Sequence, residues 1–214
     1  FTRRSPPAKI TTATLKISTA PREKFAANIA AIQKLKEIEQ RVANGGSPAF
    51  EDEQRILAQY TGWGGLSDAF DPNKSAWSNE YSQLKAALSE SEYEAARSST
   101  LTAFYTPATV IHPIYRALER FGVKGGKILE PSMGTGAFLA HGHFGSSDAK
   151  FYGVELDSIT GRISKQLYQK ANIQVTGYEN ALLPDNYFDC VIGNVPFGNF
   201  QVNDPQYNLS LIHI

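Results

Sequence analysis

Two glycines, Gly134 and Gly136, stand in "ILEPSMGTGAFL", where a short apolar run gives way to a helical pattern. Glycine at such a junction lets backbone approach a ligand, and the helix start leaves N–H donors free. A second apolar run ends at Glu155, 21 residues after Gly134, where a carboxylate can accept both hydroxyls of a ribose. This spacing predicts a nucleoside-containing cofactor. A dinucleotide site calls for a third glycine at position 139, where this chain has Leu139, and there is no glycine-lysine-serine/threonine loop for a nucleoside triphosphate. Glu130, closing the first run, would repel a pyrophosphate but suits the ammonium of an amino-acid moiety. S-adenosyl-L-methionine carries such a moiety and no phosphate.

Further along, "GNVPFG" follows the apolar run "FDCVI". It reads either as a turn that ends a strand and buries Phe197, or as a polar Asn194 held before Pro196 for chemistry. Cys190 lies inside the strand run, where a buried thiol is inert. His141 and His143 have no third ligand nearby, so no metal is expected.

These residues need elements to hold them. At 214 residues the chain can build one full core and a smaller appendage. It has no bilayer-length apolar stretch and no signal pattern at its start, and its single cysteine fits a reducing compartment, so a cytoplasmic protein is expected. Net charge is zero, but residues 1–41 hold nine basic side chains against three acidic ones. Such a basic arm can meet phosphates or simply be solvated.

The first ~18 residues lack helical spacing and read as an extended arm. From Pro21 to Val42, the positions Phe25, Ile29, Ile32, Leu35, Ile38 and Val42 step by three and four until Asn44-Gly45-Gly46, which predicts an amphipathic helix. A shorter helix over Glu51–Tyr60 runs into "TGWGG", with Trp63 as an apolar plug. Two more helices follow, the second opened by Ser89 with Glu92. A further helix starts after Thr106-Pro107, with Thr106 as cap, a kink at Pro113, and Ile111, Ile114, Tyr115, Leu118 and Phe121 facing inward. Then strands "KILE", "FYGVEL", "NIQV" and "FDCVIGN" alternate with helices "GAFLAHG" and "SITGRISKQLYQKA". The expected fold is α/β, a Rossmann-like doubly wound and mostly parallel sheet in residues 101–214, preceded by an arm and helical region in residues 1–100.

Taken in order, "FYTP" (104–107), "LEPSMGTGAFL" (129–139), "GVELD" (153–157) and "GNVPFG" (193–198) resemble the sequential motifs of amino-group, adenine-specific DNA methyltransferases. "YTGWGGLSDAF" resembles the start of very large methylase proteins of phages and conjugative elements, often fused to helicase-like regions. The resemblance implies S-adenosyl-L-methionine as cofactor and DNA as substrate, in the setting of DNA modification. It places Tyr105 and Thr106 with Glu130, Pro131, Gly134 and Gly136 along the methionine part and Glu155 at the ribose. Glu179 is assigned to the adenine amine, with Asn180 or Tyr178 as alternatives.

The family tetrapeptide has Asp, Asn or Ser, two prolines and an aromatic; here it is Asn194-Val195-Pro196-Phe197, one proline short. Adenine's amine is a poor nucleophile because its lone pair is delocalised, so two aligned acceptors must stabilise it as it becomes pyramidal. The resemblance gives this task to the Asn194 side-chain oxygen and the Val195 carbonyl, the latter kept extended by Pro196. Phe197 would stack on an extruded base. Methylation of glutamine side chains in proteins, of RNA, or a non-catalytic cofactor- or DNA-binding role in a larger mobile-element protein stay open as alternatives. A complete sheet of this type needs about three further strands, so the chain reads as a methyltransferase domain truncated at its C-terminus.

Overall fold

The computed structural model describes residues 20–101, 105–142 and 149–195. The expected basic arm, Phe104, His143, Pro196 and Phe197 lie outside the described residues. Helix α1 (Pro21–Ala43) has proline in its first turn and buries Phe25, Ile29, Ile32, Leu35 and Ile38, as the three-and-four spacing dictates. Val42, expected inward, is exposed because the helix ends one residue later and Gly45 turns the chain at φ +82°. Helix α2 (Glu51–Leu57) stops three residues short of the expected end. Helices α3 (Ser78–Ala87) and α4 (Glu90–Ser98) follow. At the start of α4 the Glu92 amide donates to Ser89 Oγ (3.2 Å) and the Ser89 amide donates to Glu92 Oε2 (2.9 Å), the reciprocal cap read from the sequence. Trp63 is buried, edge-on to Phe70 with ring centroids 5.4 Å apart.

Helix α5 (Ala108–Arg120) begins one residue later than expected: Pro107 holds the cap position, and no side chain caps the helix. Thr106 is therefore left outside the helix. The helix is continuous through Pro113, whose place in the second turn removes a single ladder bond. Ile111 and Tyr115 face inward, whereas Phe121 is exposed where the chain leaves the helix for Gly122 (φ +92°).

Strand β1 (Lys127–Glu130), helix α6 (Ala137–His141), strand β2 (Lys150–Glu155), helix α7 (Ser158–Leu167), and strands β3 (Asn172–Val175) and β4 (Cys190–Val191) complete the described chain. All pairings are parallel and the order is β3-β2-β1-β4. The chain steps outward from β1 to β3 and then returns to the far side of β1, so the topology reverses between β1 and β4. Ligands of open α/β sheets bind outside the carboxyl ends of strands at this point. Strand β4 is shorter than "FDCVIGN", although amides of Asp189 and Ile192 still donate to Lys127 and Leu129 carbonyls at 2.9 Å each.

One apolar core joins the helical region (Phe25, Ile32, Leu35, Trp63, Leu84, Tyr93) to Ile159 and Ile163 of α7. A second gathers Ile111, Tyr115, Ile128, Phe138 and Ile192. Arg162 of α7 fastens the first core at its edge. Its guanidinium donates to both Glu39 oxygens (2.7 and 2.6 Å) and to Glu92 (2.7 Å). Among the described residues, no helix is long and apolar enough to cross a membrane.

Candidate active site

The carboxyl ends of β1, β2 and β4 meet at the glycine loop. Gly134 (φ +53°) and Gly136 (φ +77°) both take the left-handed conformation that glycine favours. The space a side chain would need is already filled. A Cβ on Gly134 would lie 2.6 Å from Tyr105 Cε1, and one on Gly136 would lie 2.4 Å from Tyr168 Cε2. The loop thus needs these glycines for backbone conformation and for two tyrosine rings, a reason beyond the ligand approach expected from sequence.

Gly134 is held at both peptide groups. Its amide donates to Glu155 Oε2 (2.7 Å), and its carbonyl accepts from Ser164 Oγ (3.0 Å). The other Glu155 oxygen accepts from the Asp157 amide (2.7 Å). Each carboxylate oxygen has a second lone pair, so the same side chain can brace the loop and face a ligand. Burial, reinforced by Asp157 and opposed by these backbone N–H groups, pushes Glu155 up to about 7.

Glu130 is nearly inaccessible, 2% exposed, and its Oε2 has no hydrogen-bond partner among the described residues. Burial first, and then the charge of Glu155, pushes its carboxyl well above the ordinary range. A buried acceptor without a partner is costly. An ammonium group would relieve that cost, so the donor set fits the amino-acid end of S-adenosyl-L-methionine. Pro131 is half-buried beside it: a Cβ placed on Gly193, just past β4, would lie 3.5 Å from both Glu130 Cγ and Pro131 Cδ. Asn194 and Val195 follow at once, both exposed.

Tyr105 lies over Gly134, and Thr106 is half-buried next to it in the chain. Burial, then the nearby Glu155 charge, pushes the Tyr105 hydroxyl up, while the Thr160 side chain pulls the other way. Glu179 sits on a turn (Tyr178–Asn180) just past β3, exposed and folded over Gly177, with Oε1 accepting from Asn180 Nδ2 (2.9 Å). Pro196 and Phe197 lie outside the described residues. The structure therefore gathers Tyr105, Glu130, Pro131, Gly134, Gly136 and Glu155 at one place, with Asn194 and Val195 at its rim and Glu179 at the end of the next strand.

Several neighbours were not singled out by the sequence reading. Leu156, 76% exposed, follows the end of β2, and an apolar side chain directly after Glu155 was the available signal; Tyr178, 55% exposed past β3, enters the sequence reading only as an alternative for the adenine amine. Tyr168, which packs on Gly136, and Gly62, which packs on Tyr105, join the site only through tertiary packing, which local spacing cannot reveal. Among the described residues, no cluster of His, Cys, Asp and Glu could hold a metal ion.

Comparison with known proteins bears on the same region. The pattern of the N-6 DNA methylases matches residues 90–209, more than half of the chain. Defense against restriction protein B of Escherichia phage P1 is 27% identical over 155 residues, which is 72% of this chain and 5% of that protein. Modification methylase CviBIII of Paramecium bursaria Chlorella virus NC1A is 33% identical over 95 residues, 44% of this chain and 25% of that protein. The chain thus spans a twentieth and a quarter of the length of these curated relatives. Among solved structures, a candidate S-adenosyl-L-methionine-dependent methyltransferase from Methanococcus maripaludis aligns with a TM-score of 0.34 at 20% identity, covering 40% of this chain and 42% of that one. By the match across residues 90–209, this chain belongs to the N-6 DNA methylase family.

Proposed function

We propose that this chain forms the cofactor-binding and catalytic part of an S-adenosyl-L-methionine-dependent methyltransferase acting on the exocyclic amine of adenine in DNA. The observation that carries the reading is the buried Glu130 carboxyl, whose Oε2 has no hydrogen-bond partner among the described residues, against Gly193, one residue before Asn194. It sets an acceptor for an ammonium beside the loop that bears the candidate amine acceptor. When bound, S-adenosyl-L-methionine would supply a methyl group on a sulfonium sulfur, which the amine's lone pair takes while the sulfur becomes a neutral thioether and the methylated amine gives up one proton to solvent.

The protein's own residues would do the rest. Glu130 and the backbone around Pro131, Gly134 and Gly136 hold the amino-acid end, with Tyr105 and Thr106 closing over it. Glu155 accepts from the ribose, Leu156 and Tyr178 offer apolar faces to the purine, and Glu179 receives its amine. Asn194 Oδ1 and the Val195 carbonyl accept from the target amine, with Phe197 as a stacking face. Proximity and electrostatics suffice for such a transfer, with no metal and no covalent intermediate.

The test is methyl transfer from labelled cofactor to DNA, RNA and protein in parallel, followed by nucleoside analysis. The expected product is N6-methyladenine in DNA. Label confined to protein or RNA would replace the substrate, and cofactor binding without transfer to any of the three would reduce the domain to a binding module.

A further inference from the structure

The glycine loop is gripped from the amino-terminal helical region. Lys24 and Asn28, one turn apart on α1 and so on one face, both reach the "TGWGG" turn. Lys24 Nζ donates to the Gly64 carbonyl (2.6 Å). Asn28 is fully buried: its Nδ2 donates to the Gly62 carbonyl (2.7 Å), and its Oδ1 accepts from the Thr61 amide (2.9 Å). This side chain uses both ends of its amide to fix one peptide turn. An asparagine within a buried apolar stripe is expensive unless both ends are satisfied, and here they are.

The turn meets the glycine loop through Tyr105. Gly62 adopts φ +69°, and a Cβ there would lie 2.8 Å from the Tyr105 hydroxyl oxygen and 3.4 Å from Cε2. The opposite ring edge, Cε1 and Cδ1, lies against Gly134. Tyr105 is therefore wedged between a turn fixed by α1 and the loop whose amide is bound to Glu155. Alongside it, the Thr160 hydroxyl donates to Asp157 Oδ1 (2.5 Å), and the Thr160 side chain counters part of the upward shift that burial gives the Tyr60 and Tyr105 hydroxyls.

We infer that Asn28 is a positioning residue for the cofactor site, acting through the Thr61-Gly62 turn and the Tyr105 ring on the Gly134 loop, so that the helical region completes the site. This rests on the reading of that loop as the S-adenosyl-L-methionine site.

The test uses the full chain carrying this sequence, with Asn28→Ala and Gly62→Ala, whose added methyl meets the Tyr105 hydroxyl. Calorimetry with S-adenosyl-L-methionine and hydrogen exchange of residues 131–136 without ligand are read per folded molecule. Expected are a roughly tenfold or larger rise in Kd, faster exchange of the loop, and a loss that falls on the cofactor KM more than on kcat. A lowered Tm with unchanged Kd and unchanged loop exchange overturns the inference, since Asn28 would then serve folding alone. Gly62→Ala keeps the question answerable if Asn28→Ala does not fold. Faster loop exchange in the variants with no cofactor binding by the parent protein would uphold the coupling and sink the reading of the site instead.

Discussion

Gly193 packs on Glu130: its Cα carries no side chain where a methyl group would come within 3.5 Å of the Glu130 Cγ. The strand that ends in the buried Glu130 carboxyl and the strand that delivers Asn194 thus meet at the point where the sheet changes direction. The register of β4 on β1 (Ile128 opposite Cys190, Leu129 opposite Val191) fixes that meeting through backbone hydrogen bonds. The acid proposed to meet the cofactor and the candidate catalytic asparagine are thereby held in one framework rather than on independent loops.

Glu130→Gln should separate stability from affinity. Glu130 sits well above its ordinary 4.5 because it is buried, so the folded state keeps a proton that the unfolded chain releases as pH rises past 4.5. Its contribution therefore weakens with increasing pH until the folded value is passed. The neutral glutamine removes that trend, so the variant should match the parent near pH 5 and melt higher than the parent above pH 8. Its cofactor affinity should fall roughly ten- to a hundredfold, the loss of a charge-assisted bond of about 1.5–3 kcal/mol. Parallel melting and titration decide it: unaltered affinity would remove Glu130 from the site.

Glu155 gives the second pH signature. With its carboxyl at about 7 against an ordinary 4.5, it too favours the ligand-free fold at lower pH, and this contribution is lost as pH rises from about 4.5 through about 7. Ribose hydroxyls are better accepted by the ionised form, so the cofactor's stabilisation of the protein should grow over the same interval. Thermal shift with saturating cofactor, measured in Glu130→Gln to isolate Glu155, should increase between pH 5.5 and 8. A flat profile would mean that Glu155 only braces the Gly134 amide.

How much of this was legible in the sequence depends on whether the signal was local. The stripe of α1 and the Ser89–Glu92 cap depend on neighbours three or four residues away, and both stand in the structure. The parallel sheet followed from alternating elements, and Glu130 and Glu155 from their positions at strand ends. Thr106 failed as a cap because Pro107, with extended backbone, occupies that position. Asn28 hid within an apolar stripe, and the wedge of Tyr105 between Gly62 and Gly134 joins residues 43 and 29 positions apart. No periodicity encodes such a contact; only the packing of α1 and α7 into one core brings it about.

Arg162→Ala tests that packing. Arg162 bridges Glu39 and Glu92, whose side chains are 33% and 11% exposed. Against the cost of burial, the Ser89 amide, Arg162 and Lys36 hold Glu92 down at about 2. Its loss should cost about 1–3 kcal/mol near pH 7, between an exposed pair and a fully buried one. Because Glu92 is held low, this contribution is present above pH 4.5 and fades as pH falls through about 2. The deficit of the variant in chemical denaturation should therefore shrink in acid. A deficit that does not change with pH would assign the loss to the packing of the arginine stem.

Asn194 is the residue on which the proposed chemistry turns. It lies exposed one residue past the glycine that touches Glu130, so its removal should leave the Tm within about 1 °C. If its side-chain oxygen stabilises the amine as the bond to carbon forms, Asn194→Ala should lower methyl transfer by roughly two to three orders of magnitude, the typical loss for one such group. Cofactor affinity should change little. Val195→Pro, which restores the second family proline, should be nearly silent, because proline presents the same backbone carbonyl and residue 195 already precedes a proline that keeps it extended. Single-turnover rates on DNA with saturating cofactor separate these cases. A normal rate in Asn194→Ala would return "GNVPFG" to the status of a strand-ending turn, and a large loss in Val195→Pro would show that the amide of Val195, which proline lacks, has a partner in the catalytic complex.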